Sequence, residues 1–150
     1  MTNIPFKRDL TFDYGRPADL SPFVRRVVAR NPSMFTLHGT GTYIVGRGKV
    51  AIIDPGPDLP EHIDSLLEAV RGETVTDIGI THTHIDHSPA TPSVKAATGA
   101  TTWGFGPHGT PSGTYQVEEG ADRDFVPDYA IGDGDVVSGD GWSLEAIHTP

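Results

Sequence analysis

Cysteine is absent from all 150 residues, which excludes a disulfide framework and a thiolate metal site. Any metal held by this chain must be gripped by imidazole and carboxylate. Long apolar runs are absent as well: nothing approaches the ~20 residues that a spanning helix needs, and the opening Met1 to Leu10 has no apolar leader region. No membrane partner is expected, and the expected location is cytoplasmic. Basic residues are scarce. Lys and Arg number 11 against 20 Asp and Glu, a net charge of −9, and this balance argues against broad binding to nucleic-acid phosphates.

What the chain has in plenty is turn-forming residues, 18 Gly and 13 Pro, which leave much of it to loops. Its length fits one domain over residues 1–150. Residues 1–33, interrupted by Pro17, Pro22 and Pro32, read as a lead-in draped over the surface. From Thr42 the pattern sharpens. Thr42 to Val45 and Val50 to Ile53 are β-rich runs around Gly46-Arg47-Gly48, which predicts a hairpin whose apolar second strand is covered on both faces. Asp58 and Glu61 have capping-box spacing, and Ile63, Leu66, Leu67 and Val70 repeat as one helical face, predicting a helix over about 59–71 closed by Gly72. Ile78 to Ile80 follows as a buried strand. Strand, helix, strand and polar loop is the order of a β-α-β unit with its chemistry at the strand's carboxyl end. A helix from Thr91-Pro92 to Gly99, a strand at 101–103, a long irregular loop over 104–128, and strands at 136–137 and 142–147 complete the expectation.

The polar loop is Thr81-His82-Thr83-His84-Ile85-Asp86-His87. In extended backbone His82, His84 and Asp86 project to one side, and His87 reaches a neighbouring position. Four candidate ligands therefore converge within six residues, and a chain of this composition would produce that pattern by chance roughly once per thousand. Packing explains it no better, because three imidazoles and a carboxylate buried together without a cation carry a large polar cost. The other histidines, His38, His62 and His108, are expected to be solvated or locally bonded, His62 on the polar side of its helix.

The run at 81–87, preceded by Ile52-Ile53-Asp54-Pro55-Gly56, resembles the signature of the metallo-beta-lactamase superfamily. Residues 31–46, Asn-Pro-Ser-Met-Phe-Thr-Leu-His-Gly-Thr-Gly-Thr-Tyr-Ile-Val-Gly, further resemble its branch of beta-lactamase-like endoribonucleases and glyoxalase-II-like hydrolases. The resemblance implies an α/β fold, the N-terminal half of an αββα four-layer sandwich. It implies zinc, two ions in the complete protein, with His82, His84 and His148 on the first and Asp86 and His87 on the second, Asp86 being the catalytic carboxylate. His148 follows an apolar strand as that ligand should, although a water-exposed strand end explains it equally. Asp54 is implied to support the ligand loop from behind, and an Asx turn at Pro55-Gly56 would place it there too. A metal-bridged hydroxide acting on a small ester, thioester or lactam is the implied reaction. The alternatives are a single-strand-specific endoribonuclease and a non-catalytic metal-binding fragment. The family's pattern continues beyond His148 with an aspartate and a histidine, so the chain is expected to work with a C-terminal half in cis or on another chain.

Overall fold

The computed structural model describes residues 10–109 and 120–149. Seven strands form one sheet in chain order, β1 (Ala18–Ser21), β2 (Val24–Val28), β3 (Gly41–Arg47), β4 (Lys49–Ile53), β5 (Thr74–Ile80), β6 (Thr101–Gly104) and β7 (Tyr129–Ala130). Pairing is antiparallel from β1 to β4 and parallel from β4 to β7. Helices α1 (Pro60–Ala69) and α2 (Thr91–Thr98) supply the crossovers from β4 to β5 and from β5 to β6. A separate antiparallel hairpin, β8 (Val136–Gly139) with β9 (Trp142–Glu145), stands apart from the main sheet.

Strand β4 explains how the layers stack. Side chains alternate across a strand, so Val50 and Ile52 enter the helix-side core with Leu66, Val70, Ile78 and Val94. Ala51 and Ile53 face the other way, onto Val45, Trp142, Val137 and Leu144. The β8–β9 hairpin thus covers the face that the helices leave open. Gly46, at φ 94°, has to be glycine for this contact: a Cβ there would lie 2.5 Å from the Trp142 ring. Helices, main sheet and the start of a second sheet make up one half of the expected sandwich.

Three expectations need correction. The lead-in contains β1 and β2, and Val27 and Val28 of β2 are core residues; the residues before 10 lie outside the described ones. Arg25 and Arg26 break the apolar pattern, yet Arg25 is buried because its guanidinium donates to Ala69 O (3.0 Å) and pairs with Glu73 (2.6 Å). Helix α1 begins at Pro60 after Leu59, which caps nothing with its side chain, so the capping box is not formed. The third correction is His62, which is buried in the helix-side layer rather than solvated. In the stretch expected as a loop, Gly104 ends β6, residues 105–109 and 120–128 carry no helix or named strand, and 110–119 lie outside the described residues.

Candidate metal centre

The carboxyl ends of β4 and β5 meet at the site, as parallel neighbours must. Asp54 leaves β4 in the left-handed region at φ 51°, a conformation that Asp tolerates better than most residues. Its carboxylate is fully engaged. Oδ1 accepts from the Thr81 amide (2.8 Å), and Oδ2 accepts from Thr81 Oγ1 (2.7 Å) and His87 Nδ1 (2.9 Å).

Those bonds determine where the protons sit. A carboxylate only accepts, so His87 Nδ1 carries a hydrogen, and in the neutral ring its Nε2 presents a lone pair. Thr81 has one proton and gives it to Asp54. Its oxygen therefore accepts from His82 Nδ1 (3.0 Å), which leaves a lone pair on His82 Nε2 as well. Burial lowers the His82 pKa from its usual value, and the neighbouring His87 and His84 imidazoles, which would repel a second proton, add to it, favouring the neutral ring that binds metal.

Two pairs of donor atoms result. His82 Nε2 stands 3.1 Å from His84 Nδ1, and His87 Nε2 stands 3.2 Å from Asp86 Oδ2. Each contact is an ordinary hydrogen bond when His84 Nδ1 or His87 Nε2 carries a proton, and is open to a cation when it does not. A tetrahedral ion with bonds of 2.0–2.1 Å spaces its donors about 3.3 Å apart, so both pairs fit one. Asp86 is buried, with Oδ1 lacking a hydrogen-bond partner and Oδ2 accepting from Thr40 Oγ1 (2.6 Å). Donor atoms of Asp54, His82 and His87 also lie within 4.8 Å of one another. Three hydrogen bonds already occupy the Asp54 oxygens.

The loop is braced from beneath by Gly56. Its amide donates to His87 O (2.9 Å) and its carbonyl accepts from Ala90 N (3.1 Å). At φ 91° it tolerates no side chain, since a Cβ would sit 2.9 Å from His62 Nε2. His62 in turn contacts Thr42 Oγ1 (3.0 Å), whose proton goes to Asp54 O (2.6 Å). Burial pushes the His62 pKa down to about 4, opposed in part by the Pro55 carbonyl and by Glu61.

Residues 36–150 match the family model described as the metallo-beta-lactamase superfamily. The chain belongs to that superfamily. Among its relatives are the atrochrysone carboxyl ACP thioesterase nsrC of Aspergillus novofumigatus, 36% identical over 87% of this chain and 37% of its own length. The lactamase-like protein notP of an Aspergillus species is 33% identical over 87% of this chain and 38% of its own length. These thioesterase and lactamase-like relatives replace the endoribonuclease and glyoxalase-II-like branch expected from residues 31–46. Among solved structures, MEM-A1, a subclass B3 metallo-beta-lactamase from a soil metagenome library, matches with a TM-score of 0.67 at 21% identity, over 92% of this chain and 54% of that one. The MIM-2 metallo-beta-lactamase gives 0.68 at 20%, over 91% and 53%. Identities this low speak to the fold alone. The chain spans under two fifths of the length of these curated relatives.

Within this metallo-beta-lactamase scaffold, four of the five expected ligands, His82, His84, Asp86 and His87, form the two pairs. His148 is not among them. Its amide is tied to Asp133 Oδ1 (2.9 Å) and its ring stacks on Phe105, 5.2 Å away, at the end of β9. It does share with His82 an open cleft of about 530 Å³ whose apolar wall includes Trp103, Phe105, Leu144 and Ile147. Sequence reasoning missed Thr81 and Thr40, the hydroxyls that orient His82 and Asp86, and placed His108 merely in a loop. His108 Nδ1 meets Thr83 Oγ1 (2.8 Å), beside the ligand loop. Among the described residues no helix is long and apolar enough to cross a membrane.

Proposed function

We propose that this chain supplies the metal-binding half of a hydrolase acting on thioesters. The observation that carries the reading is the two donor pairs, 3.1 and 3.2 Å apart, at the carboxyl ends of parallel strands. In it His82 and His84 hold a first zinc ion, with His148 as third imidazole once its ring leaves Phe105. Asp86 and His87 hold the second. Zinc bound there supplies positive charge that acidifies water and polarises a carbonyl.

The protein's own residues prepare that chemistry. Asp54 keeps the His87 proton on Nδ1 and, through Thr81, the His82 proton on Nδ1. The His82 and His87 ligand atoms are thereby oriented in advance, which lowers the cost of binding. The apolar wall of the cleft excludes water on one side of the donors and offers a surface for an acyl chain. Relatives named as thioesterases favour the thioester over the lactam or simple ester. The net charge of −9 weighs against single-stranded RNA as substrate.

Asp54→Asn tests the support directly. An amide nitrogen facing His87 would donate to Nδ1 and drive the ring proton onto Nε2, the ligand atom. Zinc affinity is expected to fall about 10- to 100-fold, read by competition with a chromogenic chelator, while the melting temperature without metal changes little. For substrate class, the full-length protein loaded with zinc should hydrolyse an acyl thioester reporter faster than a lactam reporter, and single-stranded RNA not at all. Equal or greater turnover of the lactam or the RNA would overturn the thioester assignment.

A further inference from the structure

Asp86 reaches the site by a route that leads away from the ligand loop. Its Oδ2 accepts from Thr40 Oγ1 at 2.6 Å, and both residues are buried. Thr40 lies just ahead of β3, far from residue 86 in sequence, so tertiary structure alone makes this contact. The same hydroxyl receives a hydrogen bond from Asn31 Nδ2 (3.1 Å), and Asn31 Oδ1 accepts from the Thr40 amide (2.9 Å). Because a backbone N–H only donates, the Asn31 side chain has one orientation here, with its NH2 toward the hydroxyl. A hydroxyl that accepts from Asn31 has its single proton left for Asp86.

Asn31 is itself held. Its carbonyl accepts from Thr36 Oγ1 (2.6 Å), and the amides of Phe35 and Thr36 turn onto Ser33 Oγ (3.1 Å each). The Thr40 carbonyl accepts from Ala29 N (2.9 Å), tying the loop's far end to the end of β2. The loop over 31–40 is therefore a frame whose inward hydrogen bond falls on one carboxylate oxygen, the one 3.2 Å from His87 Nε2.

We propose that Thr40, oriented by Asn31, is a positioning residue for the second ion: it fixes the Asp86 carboxylate so that Oδ2 stays paired with His87 Nε2 before any ion arrives. The inference rests on the ligand assignment proposed above. The hydrogen bond also withdraws negative charge from Oδ2, which tunes the donor as well as aiming it. The hydrogen bonds from Asn31 through Thr40 end on Asp86, so the effect is expected on the second ion.

The test is stepwise zinc titration of the full-length protein, with ion content measured by mass spectrometry. Thr40→Val keeps the side chain's shape and removes the proton; it is expected to weaken the second ion about 10- to 100-fold and leave the first unchanged. Thr40→Ser should restore the second ion. Asn31→Asp provides a second route, since its carboxylate competes with Asp86 for the hydroxyl proton, and it should weaken the second ion in the same way. A purely structural role would lower both affinities with the melting temperature, and that result overturns the proposal. So does wild-type affinity for both ions in Thr40→Val and Asn31→Asp. A wild-type protein that takes up no second ion instead removes the ligand assignment itself, a failure visible before any variant is made.

Discussion

Replacing His84 with alanine is expected to weaken uptake of the first zinc ion on the order of 100- to 1000-fold. Zinc sites with four protein donors bind with roughly 10–16 kcal/mol, so one donor is worth about 3 kcal/mol. His84 Nδ1 is one half of the 3.1 Å pair with His82 Nε2, and without it the proposed first ion keeps only His82 and His148, whose ring rests on Phe105. The backbone should survive the change, because Thr81 and His87 remain tied to Asp54. Calorimetric titration checks the affinity, and the melting temperature with and without zinc checks the fold. Loss of the zinc-dependent rise in melting temperature, with the metal-free value preserved, is the expected signature. Undiminished uptake would remove His84 from the ligand set.

Acid should destabilise the protein through His62, a buried histidine beneath the ligand loop. Its folded pKa is about 4 against 6.5 for a free histidine. As pH falls below 6.5 the unfolded chain takes up a proton that the folded protein refuses until about pH 4. The unfolded state binds more protons across that window, so stability drops as pH drops, by about 3 kcal/mol for the full shift. The cause is burial of the ring against Gly56 and Thr42. His62→Gln removes the titration. Urea melts between pH 6.5 and pH 4 should show a shallower decline in the variant than in the wild type, by about 3 kcal/mol. Parallel declines would mean that His62 is accessible or already charged in the fold. The same acidification loosens the loop from below, since His62 contacts Thr42, whose hydroxyl holds the Asp54 carbonyl.

Where apolar periodicity was clean the elements were legible. The β3–β4 hairpin, α1, β5, α2, β6 and the β8–β9 pair all follow from it. Strand β2 was not legible because Arg25 interrupts the run, and its partner Glu73 lies on the other side of α1. His62 had a signal that polarity concealed: it stands four residues before Leu66, on the same helical face, and both are buried. Within the site the ligand candidates were readable because they are packed into six residues. Their supports were not. Thr40, Thr42 and Thr81 look like ordinary β-branched residues, and only the fold brings Thr40 to Asp86 and Thr42 and Thr81 to Asp54. His148 shows the opposite limit, since sequence order suggests a ligand while its backbone amide is bonded to Asp133 and its ring stacks on Phe105 at the cleft wall.

Anomalous diffraction from zinc-soaked crystals of the full-length protein examines the metal centre most directly. The account predicts an ion between His82 Nε2 and His84 Nδ1 and another between His87 Nε2 and Asp86 Oδ2, each about 2.0–2.2 Å from its donors. Saturating zinc that leaves both positions without anomalous signal, or that binds only at surface carboxylates, would contradict it.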